Sequence, residues 1–409
     1  MKFRRIIIIL PALVLILALI VGSGLLWRLF VASATVLAIS YLWALFADRG
    51  IRVTVNRPPE YSQVGEILVR NIKVENISKL PRLFVRAGES SNMPGYQNER
   101  LLNLKAGETQ SWQNQLLCTR RGLYRIGSAA ITAGDPFGFF TKRNTMGESG
   151  KIIVYPKIID LPLFKSVSLN DFGYTSGFQS ISQISPNASS VREFASGDSL
   201  HHIHWHTTAH TGRLMVKMFD ADRSYNNSKI FWVILDMYKN AHAGQGDEST
   251  EEYAVTIAAS LIRHHLESGM KVGMITAGDR SSVFSPSRGD QYLWSMMEAL
   301  ALVRAEGQIP LGQLLLSHIE DYKEDPVVMI IATSASRQLM EAIRSLKTVV
   351  ESVVVVLLDA SSFDGKHPVL NSTHNLSLLG AQVYNLQQGD EISKVLDSRS
   401  LTWQTHYGN

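Results

Sequence analysis

IFWVILDMYKN, residues Ile230–Asn240, decides the fold of the C-terminal part of the chain. Six apolar side chains run without interruption from Ile230 to Leu235 and stop at Asp236. A strand with no polar face has to be covered on both sides. The sequence that follows supplies the cover. Glu251–Glu267 has helical periodicity through Tyr253, Ile257 and Leu261, and Val272–Thr276 reads as a strand. Tyr292–Val303 is a second helix, Val327–Ala332 a strand, Arg337–Leu346 a helix and Val353–Leu358 a strand, and Gln382–Leu386 with Glu391–Leu396 close the series. Apolar strands alternating with helices predict a parallel sheet covered on both faces, an α/β doubly wound domain over 229–409. Ligands of such sheets sit at the carboxyl ends of the strands, near the point where strand order reverses. Asp236 stands at such an end. The plain role for it is to accept hydrogen bonds from neighbouring backbone amides, and Asp279 and Asp359, each just past a strand, read the same way. His264 and His265 read as part of a partly exposed helix face, because adjacent helical residues point about 100° apart.

Immediately upstream lies VREFASGDSLHHIHWHTTAHTGRLMVKMFD, Val191–Asp220, which holds five of the twelve histidines. It sits between two differently patterned regions, so it reads as a junction. His202, His204 and His206 alternate and would share one face of an extended strand, with His201 and His210 flanking them. Same-face strand neighbours stand roughly 7 Å apart and cannot all reach one ion at about 2.1 Å without a bend. No cysteine lies nearby, and Asp198 is the one carboxylate within reach. An acid/base pair is conceivable from His and Asp in one segment, but no nucleophile is marked by its local context. The reading that carries most weight is structural, with the tryptophan and arginines packing across a domain boundary.

Residues 51–156 alternate in short apolar and polar runs: Arg52–Val55, Ile67–Val74, Leu83–Arg86, Thr109–Cys118 and Ile126–Thr132. Pro58-Pro59, Gly65, Asn76, Pro81, Pro94-Gly95 and Gly107 punctuate them as antiparallel hairpins, which predicts a β-sandwich of immunoglobulin-like type. The turn Gly134-Asp135-Pro136-Phe137-Gly138 reads as a fixed bend. Residues 157–228 combine a Ser-, Asn- and Gly-rich loop with the junction segment.

Residues 1–50 explain why only 19% of this 409-residue chain is charged. Ile6–Val21 and Leu29–Phe46 are runs without a charge, separated by Gly22-Ser23-Gly24, and they predict a transmembrane helical hairpin. Lys2, Arg4 and Arg5 precede the first run and Arg49, Arg52 and Arg57 follow the second, against Arg28 alone in the turn. Both ends should therefore face the cytoplasm, in a multi-pass inner-membrane arrangement with cytoplasmic soluble domains. A cleaved signal peptide fits less well, because Ala32-Ser33-Ala34 falls inside the second run. The net charge of +4 is spread without a basic block, so nucleic acid is not expected as a partner. The single cysteine, Cys118, rules out an intrachain disulfide.

Several blocks together resemble a known signature. They are Arg192-Glu193-Phe194, Gly197-Asp198, Ile203, Trp205, Ala209, Gly212-Arg213-Leu214 and Val216-Lys217, preceded by Arg121-Gly122-Leu123-Tyr124, Gly134-Asp135-Pro136-Phe137-Gly138 and Val154-Tyr155-Pro156. In order and spacing they resemble the DUF58 family of bacterial membrane-anchored proteins. The resemblance implies that the α/β domain is von Willebrand factor A-like (vWA-like). In that module Asp-x-Ser-x-Ser after the first strand holds a divalent cation together with a Thr and an Asp from later loops. Here the run is Asp236-Met237-Tyr238-Lys239-Asn240, and the later strand ends Ala332-Thr333-Ser334 with no Asp, so the expectation is a degenerate site with no metal and no cofactor. The resemblance further implies a MoxR-type AAA+ ATPase as partner and an adaptor role in assembling or remodelling envelope or other protein complexes. Arg192, Glu193, Asp198, Trp205 and Arg213 would then hold the β module and the vWA-like domain together. His201 and His210 stand where the family commonly carries arginines, which makes any salt-bridging role there pH-dependent. No phosphate-binding glycine loop, dinucleotide fingerprint, nucleophile elbow or His-Glu-x-x-His motif occurs, so an enzyme is not expected. The alternative is a metal-binding protein or metal-dependent enzyme built on His201, His202, His204, His206 and His210.

Overall fold

The computed structural model describes residues 2–3, 6–47, 49–96, 98–147, 149–161, 164, 188–193, 207–208, 211, 213–219, 230–322, 326–350, 352–364 and 372–397. The chain divides into two compact units, Met1–Tyr155 and Pro156–Asn409.

The first unit opens with β1 (Lys2–Phe3), α1 (Ile6–Val21) and α2 (Gly24–Phe46). The 23 residues of α2 are long and apolar enough to cross a bilayer. It begins five residues earlier than the uncharged run in the sequence suggests, because Arg28 is accommodated in its first turns. The 16-residue α1 carries Pro11 and is shorter. Gly22, at φ +67°, supplies the left-handed residue that turns one helix into the other.

Nine strands follow: β2 (Ile51–Val55), β3 (Tyr61–Gln63), β4 (Ile67–Asn76), β5 (Arg82–Ser91), β6 (Arg100–Leu104), β7 (Thr109–Leu117), β8 (Gly122–Gly134), β9 (Phe140–Met146) and β10 (Gly150–Tyr155). β2, β4 and β7 form one antiparallel sheet. A second sheet is organised around the long β8, which pairs with β5, β9 and β10, and β1 pairs antiparallel with β9. Along β4, Arg70, Ile72 and Val74 turn inward while Val69, Asn71 and Lys73 face out, the period-two alternation of a half-buried strand. Ile72, Val74 and Trp112 of the first sheet share one core with Val85, Leu104 and Ile131 of the second, and Ala47, just past α2, and Ile51, which opens β2, join it. A buried ion pair crosses this core. Arg70 Nη2 donates to Glu89 Oε1 at 2.7 Å and to the Asn56 carbonyl at 2.5 Å, and the Tyr96 hydroxyl donates to Glu89 Oε2 at 2.6 Å. With both charges paired and hydrogen-bonded, neither is left uncompensated.

The second unit begins with an antiparallel ribbon, β11 (Ala188–Glu193) and β12 (Met215–Phe219). Then come β13 (Ile230–Leu235), α3 (Thr250–Glu267), β14 (Lys271–Ala277), β15 (Ser281–Ser287), α4 (Asp290–Leu302), α5 (Leu311–Ser317), β16 (Val327–Ala332), α6 (Arg337–Leu346), β17 (Ser352–Leu358), α7 (Ser372–Leu378), β18 (Gln382–Leu386) and α8 (Ile392–Asp397). The six-stranded sheet runs β15-β14-β13-β16-β17-β18, all parallel except the edge strand β15. Counting those strands in chain order, the sequence across the sheet is 3-2-1-4-5-6, so the order reverses between β13 and β16. Trp232 and Ile234 pack against Leu311, Leu315, Leu339 and Ile343 of α5 and α6. Phe231, on the other face of β13, lies on α3.

That contact corrects the expectation for the histidine pair. His265 is fully buried, its ring stacked on Phe231 with centroids 3.6 Å apart and planes 9° apart. Its Nδ1–H donates to the Leu261 carbonyl at 2.7 Å. Only a neutral ring suits this place, and burial pushes its pKa down from 6.5 to about 3, against the smaller opposing pull of the Leu261 carbonyl. The unfolded chain takes up a proton near 6.5 that the folded unit refuses until about pH 3, so stability is lost as pH falls through that window. His265→Phe, which keeps a ring on Phe231, removes this contribution, up to ~1.4 kcal/mol per pH unit. Urea unfolding between neutral and mildly acidic pH checks it; parallel pH slopes in the two proteins would contradict the assignment.

Candidate functional site

The switch in strand order places the carboxyl ends of β13 and β16 side by side, the position at which open α/β sheets hold ligands. Asp236 follows β13, and its amide donates to the Ile331 carbonyl of β16 at 3.0 Å. Its side chain is 3% exposed. Oδ1 accepts from the Tyr238 amide at 3.0 Å, and Oδ2 accepts from the buried Thr333 hydroxyl, just past β16, at 3.4 Å. Burial raises the carboxyl above its ordinary value, and His242, the Tyr238 amide and Thr333 oppose that shift.

The loop after Asp236 is fastened from both directions. The Lys239 amide donates to the Gly307 carbonyl at 2.9 Å, and the Gly307 amide donates to the Met237 carbonyl at 3.0 Å. A Cβ on Gly307 would lie 2.0 Å from the Ala277 carbonyl oxygen, so only glycine lets the segment before α5 approach this closely. His242 closes the other side. Its Nε2–H donates to the Asp236 carbonyl at 2.9 Å, and its Nδ1 faces the Thr250 hydroxyl at 3.0 Å. The Ala243 amide donates to that same hydroxyl at 2.9 Å, tying the start of α3 to the loop. The Thr250 hydroxyl also lies 3.1 Å from the Ala243 carbonyl.

This donor set does not fit a divalent cation. Mg²⁺ takes oxygen ligands in near-octahedral geometry, and the crevice offers one carboxylate whose two oxygens already accept from the chain. Tyr238 and Asn240 stand where the resemblance calls for serines, and Asn240 Nδ2 donates to the Tyr238 hydroxyl at 3.0 Å rather than offering oxygen to Asp236. Among the described residues no group of three His, Cys, Asp or Glu side chains is placed to hold a metal ion. Asp279 and Asp359 cap turns: Asp279 Oδ1 accepts from the Arg304 amide at 2.9 Å, and Asp359 Oδ1 accepts from the Ser361 amide at 3.1 Å.

Of the junction residues, Arg192 and Glu193 lie on β11 in register with Val216 and Met215 of β12. Arg213 is on an exposed bend before β12. Asp198, His201, His202, His204, Trp205, His206 and His210 lie outside the described residues. His242, Thr250 and Gly307 were not distinguishable as site residues in the sequence, since each is an isolated residue that only the fold brings to Asp236.

A carboxyl whose folded pKa is raised lends stability below its ordinary value of 3.8 and loses it as pH rises through the folded value. Asp236→Asn keeps an acceptor for the Tyr238 amide and removes the buried charge. The variant should therefore be the more stable protein at pH 7.5, with the gap closing toward pH 4. Thermal melts across that range test it, and a variant less stable than the wild type throughout would contradict it.

Residues 190–371 match the model of the family described as protein of unknown function DUF58. The uncharacterized protein YeaD of Bacillus subtilis is 23% identical over 316 residues, which is 75% of this chain and 75% of that protein. Among solved structures, the CARDB domain of a Pyrococcus furiosus protein aligns at 16% identity and TM-score 0.20, over 26% of this chain and 94% of that domain. A beta-glucosidase from Listeria innocua in complex with gluconolactone aligns at 13% identity and TM-score 0.18, over 25% of this chain and only 16% of its own length.

Proposed function

We propose that this chain is a membrane-anchored, non-enzymatic interaction protein whose α/β domain presents the carboxyl edge of its sheet to another protein. The observation that carries the reading is the closure of Asp236. Its oxygens accept from Tyr238 and Thr333, and beside it Lys239 and Asn240 are exposed. An edge with its carboxylate turned inward and a lysine turned outward offers a contact face and no cation site. The strand order with an antiparallel edge strand supports the vWA-like reading, and two sheets around one core support a β-sandwich of immunoglobulin type as the spacer between anchor and binding domain. The partner we propose is the one the sequence resemblance implies, a MoxR-type AAA+ ATPase, with the chain as its adaptor in the assembly or remodelling of protein complexes.

The anchor is read as the α1–α2 hairpin, multi-pass in the inner membrane with the soluble units cytoplasmic. Two observations support it: the positive residues flank the hairpin on its outer sides, and the pairing of β1 with β9 returns residues 2–3 to the side on which α2 ends.

Crosslinking of the full-length protein in native membranes, followed by mass spectrometry, tests the reading. A AAA+ ATPase should be recovered with the wild type and reduced at least several-fold with Lys239→Glu, a surface change that leaves the fold intact. Recovery of no ATPase, or recovery insensitive to Lys239→Glu, would overturn the proposed partner or the proposed face respectively.

A further inference from the structure

We propose that two loops of the first unit, the β8–β9 turn and the β4–β5 connection, form an apolar collar that sits in the headgroup layer of the bilayer around α2. The inference rests on the reading that α2 crosses the membrane.

The β8–β9 turn is shaped by Asp135. Its Oδ1 accepts from the Phe140 amide at 2.6 Å and its Oδ2 from the Phe137 amide at 3.0 Å, and Gly138 takes the left-handed residue at φ +72°. The tight turn pushes Phe137 outward, 62% exposed, with its ring stacked on that of Phe139 at 5.5 Å. Folding alone gives no reason to display a stacked phenylalanine pair at a turn tip. The turn's location gives one. Phe140, at its base, packs edge-on against Tyr41 of α2 at 5.6 Å. Tyr41 lies five residues before the end of α2, about 7 Å back along the helix axis. The turn continues past Phe140, away from the shared core, and so runs along the apolar helix. Tyr41 and Trp43 mark the depth at which aromatic side chains gather at the membrane–water boundary.

The β4–β5 connection lies at the same end of the unit. The Ile77 amide donates to the Gly50 carbonyl at 2.8 Å, which fastens this loop to the residues through which α2 enters the sheet. Ile77 and Leu80 are exposed, and the register shift in β5 between Arg82 and Val85 displays Leu83 and Phe84 as well. Phe84 is held at φ +56° with its amide donating to Asn103 Oδ1 at 2.9 Å, a costly backbone conformation for an exposed phenylalanine. Arg49, Lys79 and Lys105 flank the loop, the charge that suits anionic headgroups. The occupant follows from continuity: these side chains extend an apolar surface that α2 already presents to lipid.

The opposite end provides the contrast. Ile67 and Leu117 form an exposed cross-strand pair at the other end of β4, about 30 Å from Asn76 at the α2 side. The full-length protein is placed in nanodiscs of equal phosphatidylcholine and phosphatidylglycerol. Nitroxide labels go at Phe137→Cys, Leu80→Cys, Ile39→Cys on α2 and Leu117→Cys; Cys118 is buried, and the unsubstituted protein serves as the labelling blank. Collision rates with oxygen and with a water-soluble nickel chelate are compared. The labels at 137 and 80 should show an oxygen-to-nickel ratio several-fold above that at 117 and below that at 39. If 137 and 80 match 117 while 39 is in lipid, the collar is wrong and the anchor stands. If 39 is itself open to the nickel chelate, the anchor reading falls and the collar with it. A label at 137 shielded from both reagents would mean protein, not lipid, covers the turn.

Discussion

The C-terminal half depends on one constraint: a strand with nowhere to put a polar group. β13 carries an apolar side chain at every position, so neither face tolerates water. One face takes Trp232 and Ile234 into the layer of α5 and α6, and the other sets Phe231 on His265 of α3. With both faces closed, the polar chemistry of the strand is displaced to its end. Asp236 is therefore the first residue able to carry charge, and it does so where strand order reverses. The same closure that defines the site starves it of solvent, which is why its carboxylate leans on amide and hydroxyl donors and its pKa rises.

Two buried ionisable groups in this unit respond to that dryness in opposite senses. His265 sits in the hydrocarbon layer and stays neutral because its pKa falls, whereas the Asp236 carboxyl is drawn toward neutrality because its pKa rises. Low dielectric disfavours the charged form of either group, and neither is rescued by a salt bridge. The first unit solves the problem differently. Arg70 and Glu89 remain buried as ions because each supplies the counter-charge of the other and Tyr96 and the Asn56 carbonyl take up remaining hydrogen-bonding capacity.

How much of this was legible depends on range. The alternation of apolar strands and helices after Ile230, and the long apolar helix near the N-terminus, are local patterns and could be read directly. β15 was missed because its outward face is serine-rich and its inward face only half-buried, and α5 because seven residues hold too few turns to show a period. β9 offers no apolar alternation to read, since its sequence FTKRNTM has one buried residue, Phe140. The burial of His265 turns on which arc of α3 meets β13, a tertiary fact. So does the assembly of His242, Thr250, Thr333 and Gly307 around Asp236. A sequence can mark the strand end and Thr333, but His242 and Gly307 arrive from different connections, each by itself unremarked.

The first unit has direction. β8 runs from Gly122, paired with β10 at the end where the chain leaves toward Pro156, to Gly134, beside the end of α2. Its 13 residues are the longest strand among those described and the only one that meets three others in its sheet, β5, β9 and β10. Entry and exit of the unit are therefore separated by the length of a strand, about 40 Å at 3.3 Å per residue. A module built this way transmits position: what fixes the orientation of its α2 end also fixes where its other end points. The two feet of the α1–α2 hairpin both reach the α2 end: Ala47, just past α2, joins the core, and β1, just before α1, pairs with β9. On the proposed reading, the apolar loops at Phe137 and Leu80 add a lipid contact at this end, and tilting the unit would draw their apolar side chains into water. The exposed Phe137 and the exposed, strained Phe84 at this end are then consistent with the unit's fold rather than exceptions to it.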